Sequence, residues 1–387
     1  MGYEKRMALD KRIWMHFDFL PFVFIIPLLV VSFLLIFESS TALSLKQGVY
    51  YVIGFLLFWI VFFIPFRKLD RWLFVFYWAC VILLALVDFM GSSKLGAQRW
   101  LVIPFTSISL QPSEPVKIAI LLLLAHLIKI NPPPFKGYDW GMFLKLGFYI
   151  CLPAALILKQ PDLGTALIVL IMGFGILLIV GLRTRVWLPL FIALLVASPI
   201  AYHFLHDYQK KRITDFLSEK PNYHVMQSII AIGSGGFLGK SKEACTQTKF
   251  KFLPIATSDF IFAYFVERFG FLGAMLLFAI YIGLSLHLFF YMFESNSDWF
   301  LKIVALGISI LIFVYSSVNI AMTLGLAPVV GIPLPLFSYG GSSFITFMIL
   351  FGILENLLAF RYIFGYNSKP SFGNFGFLAQ LVRALGS

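Results

Sequence analysis

The sequence predicts an all-α integral membrane protein. Of its 387 residues, 60% are hydrophobic and 12% are charged, and the mean hydropathy is +0.92. A soluble domain carries about 25% charged residues. Runs free of Asp, Glu, Lys and Arg recur at about the 20 residues that cross a bilayer as a helix. Segments of alternating hydrophobicity are absent from the sequence, which excludes a membrane β-barrel.

About ten transmembrane helices are predicted in order along the chain. Uncharged runs define five of them, at residues 19–37, 47–66, 163–182, 186–205 and 269–293. Three less uniform apolar segments centre on 72–87, 116–130 and 145–158. The uncharged stretch 303–354 is too long for one crossing, and its Pro-, Gly- and Ser-rich interior predicts a turn between two helices.

The distribution of Lys and Arg orients these helices. Basic residues cluster before the first span, between the second and third, and between the sixth and seventh, whereas the opposite short loops carry few. By the positive-inside rule both termini are cytoplasmic, and the large polar loop 206–260, between helices 7 and 8, is extracytoplasmic. We therefore predict one polytopic membrane domain, residues 1–364, and a flexible cytoplasmic tail, residues 365–387.

The net charge limits the classes of molecule that the chain could bind, and the cysteine positions limit disulfide formation. The net charge of +12 suits anionic membrane lipids and phosphate-bearing substrates, and no basic run interleaved with aromatic residues indicates nucleic-acid binding. Cys80 and Cys151 fall in predicted helices, so Cys245 has no external partner for a disulfide. We expect an impermeant thiol reagent to label Cys245 from outside.

A few polar residues stand at the starts of predicted spans. Ser113 is a predicted helix cap, and Glu114 sits at the positive end of the helix dipole, which is sufficient to explain it. Lys117 lies one turn inside the span, where an ionisable group indicates function. Asp162 fits a helix cap equally well. Arg99 could contact either a substrate phosphate or lipid headgroups.

Asp259 differs from these residues because it ends the polar segment directly before an apolar helix. Ser258 is predicted to cap that helix. The helix dipole favours the Asp259 anion while apolar neighbours oppose it, so the direction of its pKa shift stays open. Glu267 fits a packing or ion-pair role. The glycines of 233–236 fit a phosphate cradle, although a flexible turn is the commoner explanation.

These parts together fit a lipid-linked sugar diphosphate as substrate. A hydrophobic membrane body would hold a polyprenyl tail, basic residues would hold a diphosphate, and a carboxylate would activate an acceptor hydroxyl. Asp259 is the acid placed where the polar segment enters the membrane.

Five segments resemble the SEDS family of shape, elongation, division and sporulation proteins. They span nearly the whole chain in the family's order: 96–100 (GAQRW) with 111–117 (QPSEPVK), 161–166 (PDLGTA), 223–236 (YHVMQSIIAIGSGG), 258–263 (SDFIFA) and 333–343 (PLPLFSYGGSS). Asn319 and the segment 331–335 are more similar to the elongation branch of the family than to its division branch.

This resemblance implies a peptidoglycan glycosyltransferase of the bacterial inner membrane. Such an enzyme polymerises lipid II into a growing glycan strand during elongation, with a class B penicillin-binding protein as partner. The resemblance assigns catalysis to Asp259, as general base. It assigns substrate binding to the remaining recurring polar positions: Arg99, Glu114, Lys117, Asp162, Arg212, Gln227 and Ser228. Arg212, Lys117 or a divalent cation (Mg²⁺ or Mn²⁺) would stabilise the departing diphosphate, with no metal ligands assigned.

The chain departs from the family pattern at three positions. Ile255 and Thr257 stand where the family carries Glu and His, and Arg268 replaces the second of two paired glutamates. Two other functions stay open. One is a lipid II translocator lined by Lys117 and broken helices, and the other is an assembly scaffold without activity.

The predicted contact with the partner protein uses small residues of the late helices. Small side chains let two helices approach closely within a membrane. The positions concerned are Gly307, Ser309, Ser316, Ser317 and Ala321.

Overall fold

The computed structural model describes most of the chain. It covers residues 16–64, 66, 69–90, 92–94, 97–102, 109–160, 162–204, 207–218, 222–245, 252, 256–294 and 298–360. The predicted tail and Ile255 lie outside the described residues. For Arg99 the structure describes the backbone alone.

Helices make up most of the described part of the chain. They are α1 (Leu20–Ser39), α2 (Thr41–Phe62), α3 (Asp70–Met90), α4 (Ser113–Ile130), α5 (Trp140–Lys159), α6 (Leu163–Val180), α7 (Thr184–Phe204), α8 (Asp207–Leu217), α9 (Tyr223–Ser234), α10 (Ile261–Phe290), α11 (Trp299–Thr323) and α12 (Gly341–Ala359). Short 3₁₀ turns occur at Lys242–Ala244 and Tyr291–Phe293.

Seven helices within the described ranges are long and apolar enough to cross a membrane, namely α1, α2, α5, α6, α10, α11 and α12. The chain is therefore a multi-pass membrane protein. The other three predicted spans coincide with α3, α4 and α7. Apolar parts of α3 and α7 are shorter, at Arg71–Val87 and Thr184–Ala193. Helix α4 carries Glu114, Lys117 and Lys129. Ten crossings stay a prediction.

A small antiparallel sheet qualifies the all-α prediction. Its strands β1 (Ser92–Lys94), β2 (Ala97–Val102) and β3 (Ser109–Leu110) pair in the order β1-β2-β3 between α3 and α4. Lys94 pairs with Ala97, so two residues separate β1 from β2, a common hairpin length. Hydropathy averaged over a membrane-length window does not detect strands this short.

The described part of the predicted external segment contains two helices, α8 and α9. Both are amphipathic rather than membrane-like. Helix α10 begins at Ile261, eight residues before the predicted start at 269, because Glu267 and Arg268 interrupt the uncharged run but not the helix.

Helix α10 is broken at Gly270. Its φ of 67° and ψ of −166° fall in a region that side-chain-bearing residues avoid. The chain after α9 supplies the missing hydrogen bonds: Phe271 N donates to Gly236 O at 2.9 Å, and Lys240 N donates to Glu267 O at 3.1 Å. The break thus divides α10 into a short first part and a longer second part.

The centre of the described helices is α11 with α12. Buried residues make up 72% and 78% of their apolar windows, against 39% and 28% in α1 and α2. Helix α12 makes its most extensive contact with α2, and α11 packs on α10, α4 and α6. The last helix of the described residues is therefore a central element.

The two ends of the described chain meet in a polar cluster. Asp18 N donates to Glu355 Oε2 at 2.9 Å. The Asp18 carboxylate accepts hydrogen bonds from Tyr291 at 2.6 Å and contacts His287 Nε2. Burial opposes ionisation of Asp18, but these two contacts outweigh it and lower its pKa.

The small residues predicted to contact a partner are largely used within the chain. Gly307 packs on Leu121, Ser309 Oγ donates to Ser285 O at 2.7 Å, and both are buried. Ser316 is buried as well. The prediction that this face contacts a partner is wrong for these three residues, because close helix approach occurs here inside one chain.

Candidate functional site

Asp259 lies in the turn 256–260 that precedes α10. The N-cap of α10 is Phe260, and no side chain caps it. Ser258 Oγ instead donates to Asp259 Oδ1 at 3.0 Å. The predicted capping role of Ser258 is therefore wrong, because the helix begins two residues later than capping by Ser258 requires.

Asn319 fixes the backbone at Asp259. From α11 its Nδ2 donates to Asp259 O at 2.9 Å and to Ile332 O at 2.7 Å. The side chain of Asn319 is fully buried, where amide groups are normally hydrogen-bonded. One amide thus joins the Asp259 turn to the segment that follows α11.

That segment, 325–340, holds the Asp259 turn at two further points. Ser338 Oγ donates to Ser258 O at 2.7 Å, and Tyr339 N donates to Thr257 O at 2.8 Å. Thr257, one of the substituted positions, therefore contributes its carbonyl to this contact. The family motif at 333–343 forms part of the support of Asp259.

The environment of the Asp259 carboxylate raises its pKa above the ordinary aspartate value. Burial raises its pKa, while the hydrogen bond from Ser258 and the positive charge of Arg212 lower it by less. Gly331, with a φ of 71°, lies beside the carboxylate, and an added Cβ would stand 3.7 Å from Asp259 Oδ2. Asp259 is thus a shielded carboxylate with a cation nearby.

A second cluster of polar side chains lies between α4 and α11. Lys117 Nζ donates to Glu114 Oε1 at 2.8 Å and to Tyr315 Oη at 2.5 Å, and Lys117 is 2% exposed. Among the described residues, Glu114 Oε2 and Ser113 Oγ have no hydrogen-bond partner. Ser113 is the first residue of α4 and not its cap, so that prediction is wrong.

Sequence reasoning missed Tyr315. It lies four residues before Asn319, on the same face of α11, and this spacing of two polar groups in an uncharged helix was the available signal. One face of α11 therefore serves both polar clusters.

Asp162 caps α6, as predicted. Its Oδ1 accepts a hydrogen bond from Thr165 N at 3.2 Å, and its Oδ2 accepts one from Gln111 Nε2 at 3.4 Å. Two residues later Gly164 packs so closely that an added Cβ would stand 2.8 Å from Val330 O. The start of α6 therefore supports the same segment, 325–340, that holds the Asp259 turn.

The predicted substrate-binding residues of the external segment differ in burial and in contacts. Arg212 on α8 lines a cleft, and its positive charge acts on the Asp259 carboxylate. Ser228 on α9 is fully buried, and its Oγ donates to Thr323 O at 2.8 Å, which joins α9 to the end of α11. Gln227 is partly exposed on α9. The substrate-binding role of Arg99 stays a prediction, because its side chain lies outside what the structure describes.

The glycines at 233–236 differ in their roles. An added Cβ at Gly235 would stand 3.1 Å from Glu267 Cα, so its backbone lies against α10. Gly239 continues the contact with a φ of 84°. Gly236 has a φ of 60° in the turn 235–238, and an added Cβ at Gly233 would meet nothing within 4 Å. Close backbone approach therefore explains Gly235, and the conformation of the turn explains Gly236.

Arg268, the third substituted position, has a defined set of contacts. Its Nε lies 3.3 Å from Glu38 Oε2, and its Nη1 donates to Lys240 O at 2.9 Å. Tyr264 Oη also donates to Glu38 Oε2 at 3.3 Å. Arg268 thus ties the first part of α10 to the end of α1.

Cys245 is less accessible than its place in a polar segment indicates. It is 2% exposed, and burial raises the pKa of its thiol to about 11. The thiolate is the nucleophile that attacks a thiol reagent, so Cys245 will react slowly. The labelling expected of Cys245 from the sequence is therefore corrected.

No group of three or more His, Cys, Asp or Glu side chains in the described ranges is arranged to hold a metal ion. Near Asp259 the described partners are a hydroxyl and a cation. This donor set does not fit a protein-held Mg²⁺ or Mn²⁺, which takes several oxygen ligands.

Comparisons with known proteins give one consistent result. The family model named for FtsW, RodA and SpoVE, described as "Cell cycle protein", matches residues 7–363. "Peptidoglycan glycosyltransferase MrdB" of Helicobacter pylori is 97% identical over 381 residues, which cover 98% of this chain and 100% of that protein.

Two solved structures share the fold. One is described as "Structural coordination of polymerization and crosslinking by a peptidoglycan synthase complex". It has a TM-score of 0.76 at 27% identity and covers 89% of this chain and 98% of its own. The crystal structure of Thermus thermophilus rod shape determining protein RodA has a TM-score of 0.67 at 26% identity, with 90% and 99% covered.

Proposed function

The chain belongs to the SEDS family, and from this membership we propose that it is a peptidoglycan glycosyltransferase that polymerises lipid II during cell elongation. The observation that carries the proposal is Asp259, a shielded carboxylate held at the entrance of α10 by Asn319 and by the segment 325–340. The family resemblance assigned catalysis to this residue.

In the proposed reaction Asp259 is the general base. Its carboxylate accepts the proton of the acceptor sugar's hydroxyl as that oxygen attacks the donor's anomeric carbon. The bond from the anomeric carbon to the diphosphate oxygen breaks, and the electron pair leaves with the polyprenyl diphosphate. Because the carboxylate acts on the acceptor and not as a nucleophile, the configuration inverts.

Arg212 stabilises the departing diphosphate. It is the cation that acts electrostatically on Asp259 and also lines an open cleft. Lys117 is fully engaged by Glu114 and Tyr315, so it supports the site from within the helices. A divalent cation, if the reaction uses one, would be bound chiefly by substrate phosphates.

The chain crosses the bacterial inner membrane ten times, with both termini in the cytoplasm and residues 206–260 outside. Helices α3, α4 and α7 supply the three crossings whose apolar stretches are short or charged. The placement of Lys and Arg supports this orientation.

A class B penicillin-binding protein is the partner that couples polymerisation to crosslinking. The support is the similar structure described as a peptidoglycan synthase complex. The contact uses a face other than the buried one of Gly307 and Ser309.

The test is polymerisation of lipid II by the purified protein and its Asp259→Asn variant. The amide keeps the size of the side chain but accepts no proton at neutral pH. We expect polymerisation to fall about 10²- to 10⁴-fold while expression and lipid II binding persist. Asn319→Asp is not a suitable control, because it disturbs the turn that holds Asp259. The matched control is Asp298→Asn, which makes the same chemical change at the N-cap of α11. Near-normal synthesis by Asp259→Asn would overturn the base assignment.

A translocator is the second candidate, favoured by the buried pair of Glu114 and Lys117 and by the break in α10. Flipping of lipid II by reconstituted protein that forms no glycan would select it. Glycan formation that requires Asp259 would exclude it as the main activity.

A further inference from the structure

The turn 235–238, which follows α9 in the predicted external segment, carries two strongly exposed apolar side chains. Phe237 is 64% exposed and Leu238 is 74% exposed. The backbone around them is fixed, since Lys240 N donates to Glu267 O at 3.1 Å. Adjacent apolar side chains that are this exposed indicate a surface that contacts a partner or a membrane.

The turn lies beside the start of the second part of α10. Leu272 N donates to Phe237 O at 3.1 Å, and the rings of Phe237 and Phe271 stack with their centroids 6.1 Å apart. Phe271 and Leu272 are themselves exposed on a helix that is long and apolar enough to span a membrane. The apolar surface of the turn is therefore continuous with the lipid-facing surface of α10.

The break at Gly270 sets the depth of this surface. The second part of α10, residues 271–290, carries no Asp, Glu, Lys or Arg. It has about 20 residues, and a helix of that length is about 30 Å long. The hydrocarbon core of a bilayer is also about 30 Å thick. The second part is therefore long enough to cross the core by itself, and its first turn, with Phe237 and Leu238 beside it, lies at the boundary between hydrocarbon and headgroups.

Helix α9 leads into the turn with an apolar face of its own. Tyr223, Met226 and Ile230 are exposed and follow one another at intervals of three and four residues, which places them on one side of the helix. The opposite side packs on the protein, where Ser228 Oγ donates to Thr323 O. A helix with one polar and one apolar face is suited to lie in the surface of a membrane.

Basic residues follow the apolar turn. Lys240 is partly exposed and Lys242 is exposed. Lysines next to an apolar insertion are typical of segments that bind at a membrane surface, because the cations meet lipid phosphates while the apolar side chains enter the hydrocarbon.

We propose that the turn 235–238 and the apolar face of α9 insert into the bilayer surface and contact the acyl chains of phospholipids. By the proposed orientation this surface belongs to the outer leaflet, and the contact itself does not depend on the orientation. The predicted external segment is then anchored to the membrane at its middle. Because the turn also bonds to the break in α10, the anchor fixes the height of the first part of α10, which begins two residues after Asp259.

The test compares two leucines of equal exposure. Leu238 in the turn and Leu217 at the end of the mostly polar helix α8 are each 74% exposed. Leu238→Cys, Leu217→Cys and the membrane reference Leu276→Cys are made in a chain without its native cysteines. Each is spin-labelled and reconstituted in vesicles of phosphatidylethanolamine and phosphatidylglycerol, and its folding is checked by thermal unfolding.

Electron paramagnetic resonance then measures collisions of each label with O₂, which concentrates in hydrocarbon, and with a water-soluble nickel chelate. We expect the label at 238 to collide mainly with O₂, like the label at 276, and the label at 217 to collide mainly with nickel. The vesicles contain no polyprenyl lipid, so collisions with O₂ at 238 report contact with phospholipid and not with a substrate tail.

Two other results would overturn the proposal. Nickel collisions at 238 as frequent as those at 217 would show that the turn lies in water. Protection of 238 from both reagents would show that protein covers it, for example a second copy of this chain.

A second measurement leaves the sequence unchanged. An apolar photoprobe that generates a carbene is dissolved in the same vesicles, and mass spectrometry locates its adducts. We expect adducts on Phe237 and Leu238, as on the exposed Met275 of α10, and none on Leu217. Labelling of Met275 without labelling of the turn would contradict the membrane contact. Neither measurement uses glycan synthesis, so both results are independent of the proposed function.

Discussion

The Asp259 carboxylate combines two opposing requirements of a base. Burial raises its pKa, which strengthens it as a proton acceptor, while Ser258 and Arg212 limit the rise. A base must be deprotonated to act, so activity is lost as the pH falls through the pKa of Asp259 in the folded protein. That pKa lies above the ordinary aspartate value.

Removal of Ser258 Oγ should move the acidic limb of the pH–rate profile to higher pH. In Ser258→Ala the carboxylate loses a hydrogen bond that lowers its pKa, so its pKa rises further. The measurement is kcat/KM for lipid II polymerisation against pH. Ser241→Ala, an exposed serine in the same external segment, should leave the limb in place. A limb in Ser258→Ala that stays fixed or moves to lower pH would contradict this account.

The contribution of the buried pair of Lys117 and Glu114 to the stability of the fold can be measured with two variants. Lys117→Met leaves the Glu114 carboxylate buried without its cation, a change that typically costs about 3–5 kcal/mol. We expect a strongly lowered unfolding temperature in detergent. The double variant Glu114→Gln with Lys117→Met should recover most of the stability, because no charge remains unpaired. If the single variant is as stable as wild type, the pair does not support the fold.

Residue-level predictions succeeded where one local contact decides the role. Asp162 caps α6 through a residue three positions away, so its sequence neighbours were sufficient. Ser113 and Ser258 were expected to cap in the same way, but the helix starts are shifted relative to them. The polar spacing of Tyr315 and Asn319 marks one face of α11, but their partners lie far away in the sequence and could not be predicted from that spacing.

At the scale of the element, the break in α10 couples the external segment to the membrane helices. Carbonyl groups of 236 and 237 accept hydrogen bonds from the start of the second part of α10. The sequence predicted an apolar helix here but not its break, because a glycine inside a helical pattern is common and its φ depends on distant packing.

Gly270→Ala should destabilise the protein. The residue combines a φ of 67° with Leu238 C only 2.7 Å from an added Cβ. The conformation alone costs about 1–3 kcal/mol in a residue with a side chain. The thermal unfolding temperature and the rate of lipid II polymerisation should both fall. Gly233→Ala is the matched control, because an added Cβ there meets nothing within 4 Å. Equal effects of the two substitutions would show that the break carries no special strain.

At the scale of the whole molecule, hydropathy was sufficient to place the long helices but not their inner arrangement. The split of the run 303–354 into α11 and α12 is confirmed. Which faces meet was not predictable, since lipid-facing and protein-facing surfaces are both apolar in a membrane. Gly307 and Ser309 of α11 were accordingly interpreted as part of a partner contact, although they face helices of their own chain.

Orientation is testable with introduced cysteines. Lys242 and Glu243 are exposed, so Lys242→Cys should react with an impermeant thiol reagent in cells stripped of any outer barrier. Arg185→Cys, exposed in the first turn of α7, should react only after permeabilisation. Cys245 itself should label slowly in both conditions. The reverse pattern for the two introduced cysteines would invert the proposed topology.

The contact between Asp18 and Glu355 spans 337 positions of the chain. During synthesis Asp18 therefore emerges long before Glu355, and α2 emerges long before α12, its main packing neighbour. Until α12 enters the membrane, the inner face of α2 and the Asp18 carboxylate lack the surroundings that they have in the complete fold. A chain that stops before residue 341 therefore exposes surfaces that α12 would cover, and exposed surfaces of this kind make incomplete chains prone to aggregation.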